Sequence, residues 1–150
     1  MDKGEQAKQY FTDGYNCAQA VACAFTEKTG LSLSQSAKLV AGFGGGMGRL
    51  REVCGAFSGI VFVLSAIDGN DAPSLEKKAA LYREIQALAE RFTAENGCLV
   101  CRELLGLRVK ADSPEPAERT EQYYKTRPCQ EIVASAARIL EKYFVERDFE

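Results

Sequence analysis

The chain has 150 residues, with 19 Lys plus Arg against 21 Asp plus Glu and a formal net charge of -2. That balance excludes a nucleic-acid binder driven by a general basic face, and equally a polybasic protein of membrane surfaces. Apolar residues at 46% and charged residues at 27% describe a globular chain, and this length fits one domain over residues 1–150 that can fold without a disulfide or a metal.

Most segments read as helix. The first spans about Asp2 to Thr12, with Ala7, Tyr10 and Phe11 on one face, and Asp13-Gly14 marks a turn. Asn16 is a suitable N-cap for a second helix with the stripe Ala18, Val21, Ala22 and Phe25, closed by Gly30. A third helix from about Ser34 presents Ala37, Val40 and Ala41. The segment Gly42 to Gly48 holds five glycines and reads as a loop of unusual backbone freedom. A fourth helix, Cys54 to about Ile67, is apolar nearly all round and is expected to be central and buried. Gly55, Ala56, Ser58 and Gly59 make one end of it thin, so a neighbouring backbone can approach there.

The fifth helix, about Ser74 to Glu95, carries the expected core stripe Leu75, Ala79, Tyr82, Ile85, Leu88, Ala89 and Phe92, with Asn96-Gly97 as its stop. A helical turn is expected at Cys101–Leu105, then a polar loop from Gly106 to Arg127 with one short helix. Pro128 suits the first turn of a last helix running to about Val145, with Ile132, Val133, Ala136, Leu140 and Tyr143 inward. No strand alternation and no repeat is evident. The fold class is all-α, a bundle of five to seven helices with a glycine-rich loop before a central buried helix.

Histidine and tryptophan are absent. A Ser-His-Asp triad, a Cys-His pair and every histidine-containing metal site are therefore excluded. The N-terminus MDKGEQAKQYF lacks the apolar core of a signal peptide, and the apolar run near Ile60–Leu64 is too short to span a bilayer. These features predict a cytoplasmic protein with reduced thiols and no membrane partner. The chemistry then falls to six cysteines: Cys17, Cys23, Cys54, Cys98, Cys101 and Cys129.

Four of them, Cys17, Cys54, Cys101 and Cys129, fall in the first turn of an expected helix. Unpaired N–H groups and the positive helix end stabilise a thiolate there. Arg49 and Arg51 precede Cys54, Arg102 follows Cys101, and Arg127 precedes Cys129. These cations favour ionised thiols and offset the charge of about -2 on a zinc ion or 2Fe–2S unit held by four thiolates. Burial alone gives no reason for four cysteines to share this placement, although cysteine packs well as a small apolar side chain. Cys23 is about 120° round the helix from Cys17 and reads as core. Cys98 and Cys101 form a CxxC pair outside any βαβ unit, which speaks against a thioredoxin-like motif but leaves open two metal ligands or a disulfide that Cys98 resolves with Cys101. The glycine segment has neither a P-loop ending nor a dinucleotide-binding spacing. It reads equally as a flexible connector or as a nest of N–H groups, Gly44, Gly45 and Gly46, around an anionic centre near Cys54. The carboxylates Glu131, Glu141, Asp112 and Glu115, and the cations Lys77, Lys78 and Arg83, read as solvated surface.

Five blocks carry a resemblance. Gly14-Tyr15-Asn16-Cys17-Ala18-Gln19-Ala20-Val21, Gly42-Phe43-Gly44-Gly45-Gly46-Met47-Gly48-Arg49, Cys54-Gly55-Ala56-Phe57-Ser58-Gly59, Cys101-Arg102-Glu103-Leu104-Leu105-Gly106 and Arg127-Pro128-Cys129 together resemble the C_GCAxxG_C_C family. The resemblance covers about residues 5 to 145. It implies a small redox-active protein whose four characteristic cysteines correspond to Cys17, Cys54, Cys101 and Cys129, with Cys23 and Cys98 as additions. The family is similar to a domain of split-Soret cytochromes, for which an iron–sulfur centre has been proposed. The haem-binding part of those cytochromes has no counterpart here.

The leading expectation is a redox protein in which those four cysteines bind an iron–sulfur cluster, such as a 2Fe–2S unit, or another metal such as zinc. Gly44, Gly45, Gly46, Arg49 and Arg51 would surround that cofactor. Its partner would be an electron-transfer protein, and a homodimer is compatible with the sequence. Two alternatives stand beside it. One is a cofactor-free thiol–disulfide protein with an acidified Cys54 as the attacking group. The other is a non-catalytic zinc module, against which the length of the chain counts.

Overall fold

A computed structural model describes residues 1–106 and 112–148, so part of the expected polar loop, residues 107–111, lies outside the described residues. The helices are α1 (Lys3–Thr12), α2 (Cys17–Cys23), α3 (Thr26–Thr29), α4 (Leu33–Val40), α5 (Gly44–Met47), α6 (Gly55–Asp68), α7 (Leu75–Asn96), α8 (Cys101–Leu104), α9 (Glu121–Thr126) and α10 (Cys129–Asp148). A 3₁₀ turn, Ala41–Phe43, precedes α5. The fold class is all-α, as expected. Six of the described helices have seven residues or more (α1, α2, α4, α6, α7 and α10).

Local chemistry sets the boundaries. The Asp2 carboxylate accepts the Glu5 N–H at the start of α1. Asn16 with Gln19, and Ser32 with Gln35, form reciprocal capping boxes that start α2 and α4. The expected second helix is two pieces. At its end the N–H groups of Ala24 and Phe25 bond three residues back, to Val21 and Ala22, which tightens the chain and turns the Phe25 ring into the core. Gly30, at φ 76°, closes α3 in the left-handed conformation that glycine adopts without strain.

The core gathers around α6, which packs against α2, α7 and α10, while α1 lies on α10 and α2. Ile60, Val63 and Leu64 of α6 meet Val21, Leu88, Phe92, Val133 and Leu140 in one buried cluster. The thin end of α6 does admit a close neighbour. A Cβ on Gly59 would stand 2.7 Å from Val21 Cβ and 3.0 Å from the Ala18 carbonyl, so α2 and α6 touch backbone to side chain there.

The α7 stripe needs correction. Leu88 and Phe92 are buried, but Leu75 is 86% exposed and Tyr82 54%, and Leu81 takes the inward position. At about 1.5 Å per residue, α7 is roughly 33 Å long against about 21 Å for α6. Its N-terminal turns overhang the core, and the inward line there runs through Leu81. Tyr143 of α10 is half-buried, and its hydroxyl donates to Glu84 on α7.

Candidate functional site

Each of the four singled-out cysteines begins or caps a helix, and different devices hold them. Asn16 accepts the Gln19 N–H at the start of α2 and so fixes the turn that opens with Cys17. The same amide donates from Nδ2 to the Ala41 carbonyl at 2.9 Å, and Gln19 Nε2 reaches the Ala37 carbonyl at 3.0 Å. The glycine segment is thereby tied to the helix of Cys17. Cys54 is the N-cap of α6 and Cys101 the first residue of α8. A short antiparallel bridge, Val53 to Val100, sets these two side by side. The Cys54 N–H donates to the Leu99 carbonyl, and the Cys101 N–H to the Glu52 carbonyl. Cys129 opens α10, where the Pro128 carbonyl accepts the N–H groups of Glu131 and Ile132.

Distant parts of the chain meet at one place. Cys17, Cys54, Cys101 and Cys129 all line a single cavity of about 410 Å³, together with Gly44, Gly45, Gly46, Arg49 and Arg51. Among the described residues, Arg119 and Arg127 complete a set of four guanidinium groups in the lining, and no acidic side chain is part of it. Cys23 is instead packed in the core, and Cys98 Sγ lies 3.7 Å from the Val100 carbonyl, away from the cavity lining. Arg102 also turns elsewhere, to the Arg51 carbonyl and the Glu52 carboxylate.

The glycine segment has the curvature of a nest. Gly45 (φ 67°, ψ 27°) and Gly46 (φ 71°, ψ 45°) are left-handed inside α5. Gly46 has a second reason to lack a side chain. A Cβ there would stand 2.7 Å from Cys101 Cβ and 2.7 Å from the Glu52 backbone nitrogen. Met47, Arg49 and Arg51 also have positive φ, between 61° and 71°, an uncommon conformation for side-chain-bearing residues. It brings both arginines back over the glycines. Arg51 is only 5% exposed, and its Nη1 donates to Cys101 Sγ at 3.6 Å.

Asp112 is not simply solvated surface, as its sequence context suggests. Its carboxylate accepts from Arg51 Nη2 at 3.0 Å and pairs with Arg49 Nη2 at 3.1 Å. The Arg51 hydrogen bond foremost holds Asp112 below the usual carboxylate range. Arg119 was also outside the expected site. Its guanidinium donates to the Phe11 and Tyr15 carbonyls at the end of α1 and stacks on the Phe11 ring at 4.1 Å. Asp112 and Arg119 reach the site only through tertiary packing, and no local signal marks them.

The thiols differ from one another. Burial pushes Cys54 up to about 12, with the Ala56 and Phe57 N–H groups opposing that shift. Burial also raises Cys101, against the Arg51 hydrogen bond. Cys17 and Cys129 share a hydrogen bond that holds Cys17 well above the ordinary thiol range. The same bond lowers Cys129 to about 7, helped by Arg127, Arg51 and Arg119 against burial. The ionised thiols expected at the helix starts, with Cys54 as the attacking group, are thus corrected at three of the four. Desolvation outweighs the helix end at Cys54 and Cys101, the Cys129 bond raises Cys17, and Cys129 is the acidic thiol instead.

An all-thiol donor set with cationic neighbours suits a soft metal or an iron–sulfur unit. Among the described residues, however, no group of three or more His, Cys, Asp or Glu is drawn together closely enough to hold a metal ion. A tetrahedral zinc site, with Zn–S near 2.3 Å, would need its sulfurs within about 3.8 Å of one another. The four cysteines share a cavity wall and do not form a closed single-ion shell.

Fold and site define an all-α protein with a four-cysteine, arginine-lined cavity. The chain belongs to the C_GCAxxG_C_C family, whose model, described as "Putative redox-active protein (C_GCAxxG_C_C)", matches residues 15–143. No curated protein and no solved structure matches the chain. Among the described residues, no helix is long and apolar enough to cross a membrane.

Proposed function

We propose that this redox-active family member carries single electrons on an iron–sulfur centre, of 2Fe–2S size, held by Cys17, Cys54, Cys101 and Cys129. The carrying observation is that these four helix-start cysteines, and neither of the other two, line one cavity, where the other described lining residues include four arginines and no acidic side chain. Charge supports an anionic centre at this place. Four thiolates on a 2Fe–2S unit carry about -2 when oxidised and -3 when reduced. Among the described residues, four guanidinium groups line the cavity and one carboxylate, Asp112, pairs with two of them.

When bound, such a centre accepts and returns one electron without making bonds to a substrate. The chain's own residues do the rest. Arg51 donates to the Cys101 sulfur, and Asp112 holds Arg51 and Arg49 in place. Gly46 lets the backbone close over Cys101. The partner in this reading is an electron-transfer protein, and the setting a reducing one such as the cytoplasm. Protein purified without oxygen should be brown, with about two iron and two sulfide per chain. Colourless protein that takes up neither during cluster reconstitution overturns the reading.

One observation favours a second reading, cofactor-free thiol–disulfide exchange. Cys17 and Cys129 are hydrogen-bonded to each other, and Cys129 is the acidic member. The Cys129 thiolate would attack a partner disulfide and release one partner thiolate. Cys17 would then displace the second, leaving a Cys17–Cys129 disulfide and a reduced partner. Redox titration with thiol labelling tests it. No reversible Cys17–Cys129 disulfide between about -150 and -350 mV overturns it.

A further inference from the structure

The cavity offers more than four sulfurs can use. Its volume of about 410 Å³ lies in the roughly 300–1,000 Å³ range of small-molecule sites. Phe11, Leu104, Leu105 and Ile132 give it an apolar side. Its polar side is unusual, because the Nε atoms of Arg49 and Arg51 are both buried and have no hydrogen-bond partner among the described residues. Buried donors are rarely left so. Arg127 lies over the Tyr123 ring and forms no ion pair among the described residues, and Arg119 binds only backbone carbonyls and aromatic faces.

Among the described residues, Asp112 pairs with Arg49 and Arg51, which leaves Arg119 and Arg127 beside the apolar walls with no carboxylate partner. We infer that the same cavity binds a small organic monoanion, a carboxylate held by the site arginines with its apolar body against Phe11, Leu104, Leu105 and Ile132. The inference goes beyond the reading above and rests on the cavity's own residues.

The test is calorimetric titration of the oxygen-free protein as isolated, and of a metal-stripped portion, with benzoate, benzamide and inorganic phosphate. Benzoate should bind one to one. Benzamide and phosphate should each bind at least about tenfold more weakly, the scale of losing one charged hydrogen bond or the apolar contacts. Arg127→Gln should weaken benzoate by about tenfold at unchanged circular dichroism. Should that variant fail to fold, Ala117→Trp, on the exposed rim of the cavity, should block benzoate by filling the entrance. Equal binding of benzoate and benzamide overturns the inference, as does phosphate binding as tight as benzoate, or indifference to both variants. Iron and sulfide counted on the same samples separate the two claims. Benzoate binding without iron overturns only the centre, and iron without benzoate binding overturns only this site.

Discussion

Alkylation of Cys129 in the metal-free protein gives a quantitative check on the site's electrostatics. The Cys17 hydrogen bond and the arginines lower this thiol from 9.0 to about 7. At pH 7 it is then half thiolate, against about 1% for an unperturbed thiol, a gain of roughly fiftyfold. A more acidic thiolate is a weaker nucleophile, and over two units that costs about eightfold, leaving a net gain of about sixfold. Access to the cavity scales every rate alike, so the decisive quantity is the midpoint of the pH–rate profile. Pulsed iodoacetamide labelling between pH 5 and 10, read by peptide mass spectrometry, should place it near 7. Cys17→Ala removes the leading cause and should move the midpoint upward. A midpoint at or above 9, or one unmoved by Cys17→Ala, refutes the reasoning.

Cys54, raised to about 12 by burial, keeps its proton in the folded state above pH 9, where the unfolded chain loses it. Metal-free protein should therefore lose stability as pH rises from 9 toward 12, with a Cys54 share of about 1.4 kcal/mol at pH 10, and Cys54→Ala should remove that share in urea unfolding. Cys129 acts in the opposite direction. Its contribution is present above pH 9 and is lost as pH falls through about 7. Leu88→Ala opens a cavity at a fully buried position and should cost about 2–5 kcal/mol in the same assay. Gly59→Leu drives a side chain into Val21 and should cost about 1–3 kcal/mol, read as a lowered Tm. Gly46→Ala combines a left-handed backbone with contacts to Cys101 and Glu52. It should reduce iron retention more than it lowers the Tm.

Much of this was legible because local rules and tertiary needs agree. Asn16 caps its helix and anchors the next turn, so the cap signal and the site coincide. The apolar α6 is central because its long apolar face, Ala56 to Leu64, is buried by its neighbours, with Ser65 and Ala66 left exposed near its end. Periodicity was misleading at Leu75 and Tyr82, where α7 outruns the elements that could cover it. The helix-start argument located all four cysteines but misjudged the acidity of Cys17, Cys54 and Cys101, because burial and the contact between thiols are set by packing that a sequence window does not contain. The bridge between Val53 and Val100 is a single rung, too short to leave an alternation. Asp112 and Arg119 come from a polar stretch far along the chain, and only the folded geometry brings them to Arg51 and Phe11.

The most direct test counts iron and acid-labile sulfide in oxygen-free preparations of six single variants, one for each cysteine changed to alanine. The account predicts that the Cys17, Cys54, Cys101 and Cys129 variants each lose most of both, while the Cys23 and Cys98 variants keep wild-type amounts. Iron and sulfide that survive in any one of the first four variants, or that vanish with Cys23 or Cys98, would contradict it.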